Sequence, residues 1–482
     1  MLETYFIKQL KTPRGWYVYD VGKDALLKVS KDIYDALAKH SDITGGQIPE
    51  DIKNDLQELS EMGYFSTNRP QLLRHPAMGI LEVLLDRKIE KLTLQLTQDC
   101  NFRCKYCIYS EDINLKQRHH SQKRMSWDTA KAAIDFYRDH SEDADLWNIG
   151  FYGGEPLLEF ELLQRCIEYA DSELRGKPLT FGITTNASLL KGPIIQFLKD
   201  HNVDVLISLD GSRETHDRNR VFRNGTGTYE VIRHNLSVIK QLYPDYFEKI
   251  HYNMVIDCDA GIGGYQGILD DLAVDSEHVN ATLIENTDEP IKLDPEFVRE
   301  IEYLKFVSFY EHAANIPFTG NTLSIGAIKD ARHRIETHDG LNGISAVSYP
   351  GGQCIPGKTR LFVNADGDLY PCERVNETQV MCIGNIRDGF NLAQIKKLLN
   401  VATITEEQCK NCWAQHLCTS CIKLADDGME LSSSLRQSHC AEIKSVAYET
   451  LRTIVCLWEC ETIYANEMLK LKKENEHAEA NQ

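Results

Sequence analysis

The sequence predicts an α/β protein built around a partial (β/α)6, TIM-like barrel, with a winged-helix-like module before it and a cysteine-rich domain after it. Three observations support this prediction. Short β-type runs and two helices fill about the first 70 residues, strand and helix patterns alternate from about residue 90, and cysteine becomes dense beyond about residue 345. We therefore expect the module over 1–75, the barrel over 90–335, the cysteine-rich domain over 345–460 and a polar tail over 461–482.

The N-terminal module is predicted from three short strands followed by two helices. Pro13, Gly15 and Gly22 separate the strands, and the second helix has Pro49 at its first position and ends at Gly63. The predicted strands are Tyr5–Ile7, Trp16–Tyr19 and Leu26–Val29. This order is typical of a winged-helix-like unit, and it is also compatible with an extension that only packs against the rest of the chain.

The barrel is predicted from six strand patterns. Helical stretches such as Trp127–Tyr137 and Leu158–Leu174 lie between most of them, and this alternation indicates parallel strands. Six strands are too few to close an eight-stranded barrel, so we expect a partial one. The predicted strands are Leu92–Thr97, Trp147–Tyr152, Leu179–Thr184, Val205–Leu209, His251–Ile256 and Ala281–Ile284.

Composition limits the possible functions. The 482-residue chain has a formal net charge of -19, which argues against nucleic-acid binding because neutralising phosphates requires a basic surface. We find no signal-peptide pattern and no apolar run long enough to cross a bilayer, so we expect a cytoplasmic protein without a membrane partner. Thiols stay reduced in that compartment, and the 15 cysteines, most of them in tight local sets, therefore indicate metal binding.

The first cysteine set, Cys100, Cys104 and Cys107, follows directly after the first predicted barrel strand. α/β folds place their chemistry at this end of a strand. Three thiolates can hold three irons of a [4Fe–4S] cube and leave the fourth iron open to a chelating cofactor. On spacing alone, a zinc site completed by a distant residue and three unlinked cysteines are alternative interpretations.

The pattern Cys-x3-Cys-x2-Cys, with the aromatic Tyr106 directly before its last cysteine, resembles the radical S-adenosylmethionine (SAM) superfamily. The resemblance covers about residues 90 to 290. It implies that the open iron chelates the amino and carboxylate groups of SAM. It also implies that an electron from the cluster cleaves SAM to a 5′-deoxyadenosyl radical, which abstracts a hydrogen atom from the substrate.

Later strand ends resemble the SAM-binding segments of the same superfamily. Gly153 and Gly154 end the second strand, where bare backbone would permit close ligand approach, and Glu155 could accept a hydrogen bond from the SAM amino group. Ser208, at the end of the fourth strand, and the downstream Arg220 resemble the segment that contacts SAM ribose and carboxylate. Taken alone, these residues predict only a turn and a capped strand–helix connection.

The second cysteine region contains the run Cys409-x2-Cys412-x5-Cys418-x2-Cys421, with Cys440 beyond it. By itself this run is compatible with zinc. A five-residue gap is short for two zinc knuckles, however, and iron–sulfur proteins use similar runs in which the last cysteine ligates a different cluster.

This region resembles the SPASM extension, the auxiliary-cluster domain of peptide-modifying radical SAM enzymes. By position, one auxiliary [4Fe–4S] cluster would be held by Cys409, Cys412, Cys418 and Cys440. The other would take three ligands, Cys354, Cys372 and Cys421. The gap before Cys421 is one residue shorter than in the usual pattern, and no cysteine shortly precedes Cys354 as a fourth ligand. Either Cys382 completes the cluster or one iron stays open, where Glu373 could act as a base on a bound substrate thiol.

Together the three parts resemble maturases of ribosomally made peptides. The resemblance implies SAM and three [4Fe–4S] clusters as cofactors, a precursor peptide held through its leader by strand addition, and an electron donor such as flavodoxin or ferredoxin. The segment Leu94–Gln98 is most similar to the thioether-forming ranthipeptide and sactipeptide branch. Alternatives are a carbon–carbon cross-linking maturase, an anaerobic sulfatase (formylglycine) maturase and, least favoured, a zinc-structured scaffold without catalysis.

Overall fold

The structure is a computed structural model that describes residues 5–38, 49–109, 118–265, 278–284, 293–314, 316, 326, 328–329, 331–334, 344–351 and 354–480. Within these ranges, no helix is long and apolar enough to cross a membrane.

The N-terminal module is a three-stranded antiparallel sheet covered by two helices. Its strands are β1 (Ile7–Thr12), β2 (Gly15–Asp20) and β3 (Ala25–Val29), and its helices are α1 (Lys31–Ala38) and α2 (Glu50–Glu61). Val18 on β2 packs against Ile33 and Leu37 of α1 and Leu56 of α2. The alternating pattern of the strands and the helical spacing of the apolar residues therefore meet in one small core.

The barrel contains the six parallel strands that the sequence predicts, with most bounds within one or two residues of the prediction. They are β5 (Leu92–Thr97), β6 (Trp147–Gly153), β7 (Leu179–Thr185), β8 (Asp204–Ser208), β9 (His251–Ile256) and β10 (Val279–Leu283). The connecting and flanking helices are α3 (Leu81–Arg87), α4 (Trp127–Asp139), α5 (Phe160–Glu173), α6 (Pro193–Asp200), α7 (Arg213–Asn219), α8 (Tyr229–Leu242), α9 (Pro244–Phe247) and α10 (Pro295–Ala314). All six residues of β5 are buried, as expected for a strand in the middle of a sheet.

The cysteine-rich region extends the barrel sheet. Its strand β12 (Leu361–Val363) pairs in parallel with β5, and β13 (Asp368–Tyr370), β14 (Gly384–Asn385) and β15 (Gly389–Phe390) continue the same ten-stranded sheet in antiparallel order. The short strands β4 (Leu72–Leu73) and β11 (Val347–Ser348) form a separate pair. The helices that follow are α11 (Leu392–Leu399), α12 (Glu406–Lys410), α13 (Ser433–Ser438) and α14 (Cys440–Ala480).

The N-terminal module packs against the cysteine-rich region. Phe6 and Leu10 share a buried cluster with Ala414, Leu417 and Leu451. The Tyr17 hydroxyl donates to Glu459 Oε1 on α14 at 2.8 Å. The module therefore shares a core with the loops that carry the last cysteine run. The segment predicted as a polar tail continues α14 as far as Ala480.

Candidate active site

The first cysteine set lies where the sequence predicts it, on the loop after the carboxyl end of β5. Cys100 is buried, and Cys104 and Cys107 are partly buried. Burial is the main cause that raises the pKa of Cys104 to about 12; the Cys107 charge adds to this shift, and the Arg220 charge opposes it. The three thiols therefore lie close enough for their charges to act on one another.

N–H groups point at two of these sulfur atoms. The backbone N–H groups of Phe102 and Tyr109 donate to Cys100 Sγ at 3.3 Å and to Cys107 Sγ at 3.4 Å. The side-chain amide of Asn186, which follows β7, lies 3.8 Å from Cys100 Sγ. Such donors stabilise the thiolate that an iron ligand must become.

A buried ion pair lies beside Cys104. Arg220 donates to both carboxylate oxygens of Asp210, with Nε–Oδ2 at 2.8 Å and Nη2–Oδ1 at 3.0 Å. The Tyr106 hydroxyl donates to the same carboxylate, and its ring lies 5.3 Å from the guanidinium. Ser208 ends β8 two residues before Asp210 and is half-buried. Since two Arg220 donors are already used, a cofactor carboxylate would have to use the remaining N–H groups.

His216 fixes the backbone beneath this ion pair. Its Nδ1 accepts from the Asp210 N–H at 3.2 Å, and its Nε2 lies 2.9 Å from Thr228 Oγ1, which donates to the Arg220 carbonyl at 2.8 Å. Burial, reinforced by the Arg220 charge, lowers the pKa of His216 to about 3. The neutral imidazole therefore orients Asp210 and Arg220 instead of titrating near pH 7.

The glycine pair at the end of β6 packs against the chain's own cysteine loop. A Cβ at Gly153, whose φ is +145°, would collide with the Thr97 carbonyl oxygen, and a Cβ at Gly154 would collide with that of Asp99. The bare backbone thus lets the chain's own cysteine loop approach closely. This packing brings the end of β6 directly beneath the loop that begins at Cys100.

Glu155 is fully buried and satisfied by the protein itself. Its carboxylate accepts from Asn186 N–H at 2.8 Å, from Thr185 Oγ1 at 2.8 Å and from Leu157 N–H at 3.1 Å. Burial raises its pKa to about 7, although the three donors oppose that shift. In this arrangement Glu155 joins the ends of β6 and β7 and fixes Asn186 beside Cys100.

Four cysteines of the second region come together from separate elements. Cys409 is on α12, Cys412 and Cys418 lie in the following loops, and Cys440 begins α14. The charges of Cys418 and Cys409 raise the pKa of Cys412, and those of Cys409 and Cys440 raise that of Cys418, in each case after burial as the main cause. These are the four residues that the SPASM resemblance assigns to one cluster.

Of the other candidate cluster ligands, Cys354, Cys372 and Cys382 flank β12 and β13 in the sequence. Cys372 and Cys421 interact, because the Cys421 charge contributes to the raised pKa of Cys372, about 11, after burial and the Glu373 charge. Cys354 is exposed in the loop before β12. The Cys382 thiol instead donates to the Gly384 carbonyl at 3.4 Å, and the charge that raises its pKa, after burial, is that of Asp368.

One carboxylate oxygen of Glu373 accepts a hydrogen bond, and the other accepts none from the described residues. Arg360 donates to Oε1 at 2.5 Å. Oε2 is buried and has no hydrogen-bond partner within the part of the chain that the structure describes. This oxygen therefore has an unused hydrogen-bond acceptor position.

The donor chemistry of both regions suits iron–sulfur clusters. Among the described residues, no three Cys, His, Asp or Glu side chains lie close enough together to hold a single metal ion. A cube-shaped cluster offers each thiolate a separate iron, so its ligands need only surround it. The cysteine sets of both regions, all of them described by the structure, supply thiols of that kind, none of them used in a disulfide.

Several residues at this site were missed by the sequence reasoning. Asp210 directly follows the fourth predicted strand, and a carboxylate at a strand end is a recognisable signal, but only Ser208 is predicted as a contact there. Asn186 could have been found in the same way at the end of the third strand. Arg118 and Glu377, which form an ion pair at 3.0 Å, gave no local signal at all.

Comparison with known protein families indicates the class of protein to which the two regions are similar. The Radical SAM superfamily matches residues 94–257, and the SPASM iron–sulfur cluster-binding domain matches residues 354–421. The structure of native anSMEcpe with bound AdoMet has the same fold, with a TM-score of 0.55 and 19% identity, over 76% of this chain and 98% of that one. The fold and the two matched domains define a radical SAM/SPASM protein, and they support SAM and iron–sulfur clusters as its cofactors.

Two relatives with named activities are similar to this chain. Radical SAM cyclopropyl synthase TigE of Paramaledivibacter caminithermalis is 28% identical over 44% of this chain and 47% of its own length, so the chain spans about half of that relative. The cysteine-type anaerobic sulfatase-maturating enzyme of Clostridium novyi is 22% identical over 69% of this chain and 87% of its own length. The chain thus carries a radical SAM domain and a SPASM domain and is related to peptide and sulfatase maturases.

Proposed function

We propose that this enzyme cross-links a cysteine sulfur to a carbon of an acceptor residue in a ribosomally made precursor peptide, forming a thioether. One observation carries the proposal. The charges of Glu373 and Cys421 both act on Cys372, whereas the Cys382 sulfur lies 3.4 Å from the Gly384 carbonyl oxygen. That arrangement leaves one ligand position of this cluster for a substrate thiolate.

The three cysteines of the first loop would hold the SAM-binding cluster. Asp210, Tyr106 and Cys104 surround Arg220, whose free N–H groups suit the SAM carboxylate. Ser208, at the same strand end, would contact the SAM ribose. Gly153, Gly154 and Glu155 would form the side of the site toward the SAM amino group.

The auxiliary ligands are assigned by their grouping. One cluster would be held by Cys409, Cys412, Cys418 and Cys440, and the other by Cys354, Cys372 and Cys421. With the SAM-binding cluster this makes three [4Fe–4S] clusters. When bound, these groups supply the electron for SAM cleavage, a thiol-activating iron and an acceptor for the surplus electron.

Glu373 would be the base for the substrate thiol. Its bare Oε2 can accept the thiol proton, while the Arg360 ion pair holds the other oxygen in place. The reaction then balances. The substrate thiol would lose its proton to Glu373, the acceptor carbon would lose one hydrogen atom, and the C–S bond would replace the S–H and C–H bonds; bound SAM would supply the hydrogen-atom acceptor and an auxiliary cluster would supply the acceptor for the surplus electron.

The N-terminal module would bind the leader of the precursor by adding a strand to its sheet. β3 is a sheet edge, since its one partner among the described residues is β2. A peptide is also present in the structure of anSMEcpe with AdoMet and the Cp18Cys peptide, which has a TM-score of 0.55 and 17% identity to this chain. We further propose a flavodoxin or ferredoxin as electron donor and the cytoplasm as the site of action.

A second candidate is sulfatase maturation, in which a cysteine becomes formylglycine. The Clostridium novyi relative, matched over 87% of its length, favours it. The module before the barrel weighs against it, because a sulfatase maturase has no leader to recognise.

Mass spectrometry separates these candidates. Reduced enzyme and SAM are incubated with the cysteine-containing peptides encoded beside its gene, and each product is then treated with a thiol-alkylating reagent. Loss of two hydrogens with one thiol no longer alkylated establishes the thioether. Loss of two hydrogens with all thiols alkylated means a carbon–carbon bond, and loss of sulfur means formylglycine; either result overturns the proposal. A peptide with serine in place of cysteine is the matched control.

A further inference from the structure

A buried ion pair connects the two cysteine regions. Arg118 follows the first cysteine loop, and Glu377 lies five residues after Cys372. Arg118 Nε lies 3.0 Å from Glu377 Oε1, and the two side chains are 0% and 13% exposed. A buried pair of this kind is costly to form, and removing one partner leaves the other charge uncompensated.

The barrel and the auxiliary region both hold the pair. Arg118 donates to the Val375 carbonyl at 2.8 Å and stacks over the Phe362 ring at 4.4 Å. Glu377 accepts from Gln95 on β5 at 2.5 Å and lies 3.3 Å from the Asn364 amide. The two charges therefore have a defined position relative to β5.

Tyr109 connects the pair to the first cysteine set. Its hydroxyl accepts from Gln95 at 2.9 Å and lies 3.3 Å from Arg118 Nη1. Its backbone N–H donates to Cys107 Sγ at 3.4 Å. The Arg118 charge also acts directly on Cys107, where it partly offsets the rise in pKa that burial causes.

We propose that Arg118 and Glu377 are positioning residues through which the auxiliary region sets the reduction potential of the SAM-binding cluster. The inference rests on the proposed function in one respect, that Cys100, Cys104 and Cys107 hold that cluster. Reduction adds a negative charge to the cluster, so the nearby Arg118 cation favours the reduced form, and Glu377 offsets that effect. Hydrogen bonds to the sulfur, here from the Tyr109 N–H, act in the same direction as the cation.

The test is a redox titration of the reconstituted full-length enzyme, followed by the paramagnetic signal that changes when SAM is added. We expect Glu377→Gln to shift the midpoint potential upward, because the Arg118 charge is then uncompensated. We expect Arg118→Gln to shift it downward, because Glu377 remains alone. The double variant should return toward the wild-type value.

The decisive result is that the two single variants shift the midpoint potential in opposite directions. A merely structural role would move both single variants in the same direction, and the double variant would then depart further; that outcome overturns the inference, as does an unchanged potential in all three. Glu377→Asp keeps the charge and should retain a near wild-type potential even if Glu377→Gln folds poorly. Asp143→Asn, in the exposed ion pair with Arg87, is the matched control and should cause no shift. If the wild-type enzyme shows no SAM-responsive signal, the proposed function itself is wrong.

Discussion

The two cysteine regions differ in how the chain assembles them. Cys100, Cys104 and Cys107 come from a single loop at the end of β5, whereas the second region draws its cysteines from loops and helices on either side of β12 and β13. The first site therefore depends on local sequence, and the second depends on tertiary packing. The N-terminal module adds to that packing, since Phe6 and Leu10 bury Ala414 and Leu417 between the cysteines of the last run.

The largest expected effect tests the local site. Cys104→Ala should abolish SAM cleavage while the auxiliary region keeps its iron, because an open-iron cube needs all three thiolates of its loop. Deoxyadenosine formation and iron content measure the two parts separately. Cys258→Ala, at a partly buried cysteine outside both sets, is the control. Deoxyadenosine at the wild-type rate in Cys104→Ala would refute the radical SAM site.

The second prediction tests the assembled site. Cys418→Ser should lower the iron content from about twelve to about eight per chain, because one four-iron cluster is lost and the other two remain. SAM cleavage should continue, since the first loop is untouched. Iron analysis after anaerobic reconstitution measures this, with Cys456→Ser on α14 as the control. Near-stoichiometric zinc in the wild type would contradict the assignment.

The third prediction concerns the buried ion pair beside the first cysteine set. Arg220→Lys should weaken SAM binding by about tenfold, because an ammonium lacks the planar fork that contacts both Asp210 oxygens and holds the other guanidinium N–H groups in a fixed direction. Equilibrium binding of SAM measures the effect. Arg218→Lys, two residues earlier, is matched in chemistry, but the Arg218 side chain is 46% exposed, so this variant should bind SAM with wild-type affinity. Equal losses in both variants would show that the Asp210 pair has no special role.

The fourth prediction concerns pH. Glu155 has a folded pKa of about 7 against an ordinary value of 4.5, so between these values the folded state retains a proton that the unfolded state has lost. Its contribution to the free energy of unfolding is therefore complete below pH 4.5 and falls by up to roughly 3 kcal/mol as pH rises through 7. Glu155→Gln should remove this part of the pH dependence in urea unfolding, and exposed Glu161→Gln should not. An unchanged slope in Glu155→Gln would show that its three hydrogen bonds keep the carboxylate charged.

The contrast also explains which features could be predicted from sequence. The barrel strands have strong patterns, so β5 and β9 are predicted with their observed bounds, and the first cysteine set follows from its spacing after β5. The three-residue strand β12 is too short to carry a period, so its pairing with β5 was not predicted. Arg118 and Glu377 are far apart in the sequence, and only the pairing of β12 with β5 brings their segments together.

The smallest expected effect, from Cys382→Ala, decides whether the second region has an open position. The Cys382 sulfur lies 3.4 Å from the Gly384 carbonyl oxygen, and the charge that raises its pKa, after burial, is that of Asp368 and not that of another cysteine. We therefore expect the variant to keep its full iron content and its cross-linking activity, whereas Cys372→Ala should lose a cluster. Adding a cysteine peptide to reduced enzyme without the SAM-binding cluster should still change the auxiliary paramagnetic signal, and a serine peptide should not. A loss of about four irons in Cys382→Ala would make Cys382 the fourth ligand. The substrate thiol would then have no iron to bind. That result would contradict thioether formation and favour sulfatase-type or carbon–carbon chemistry.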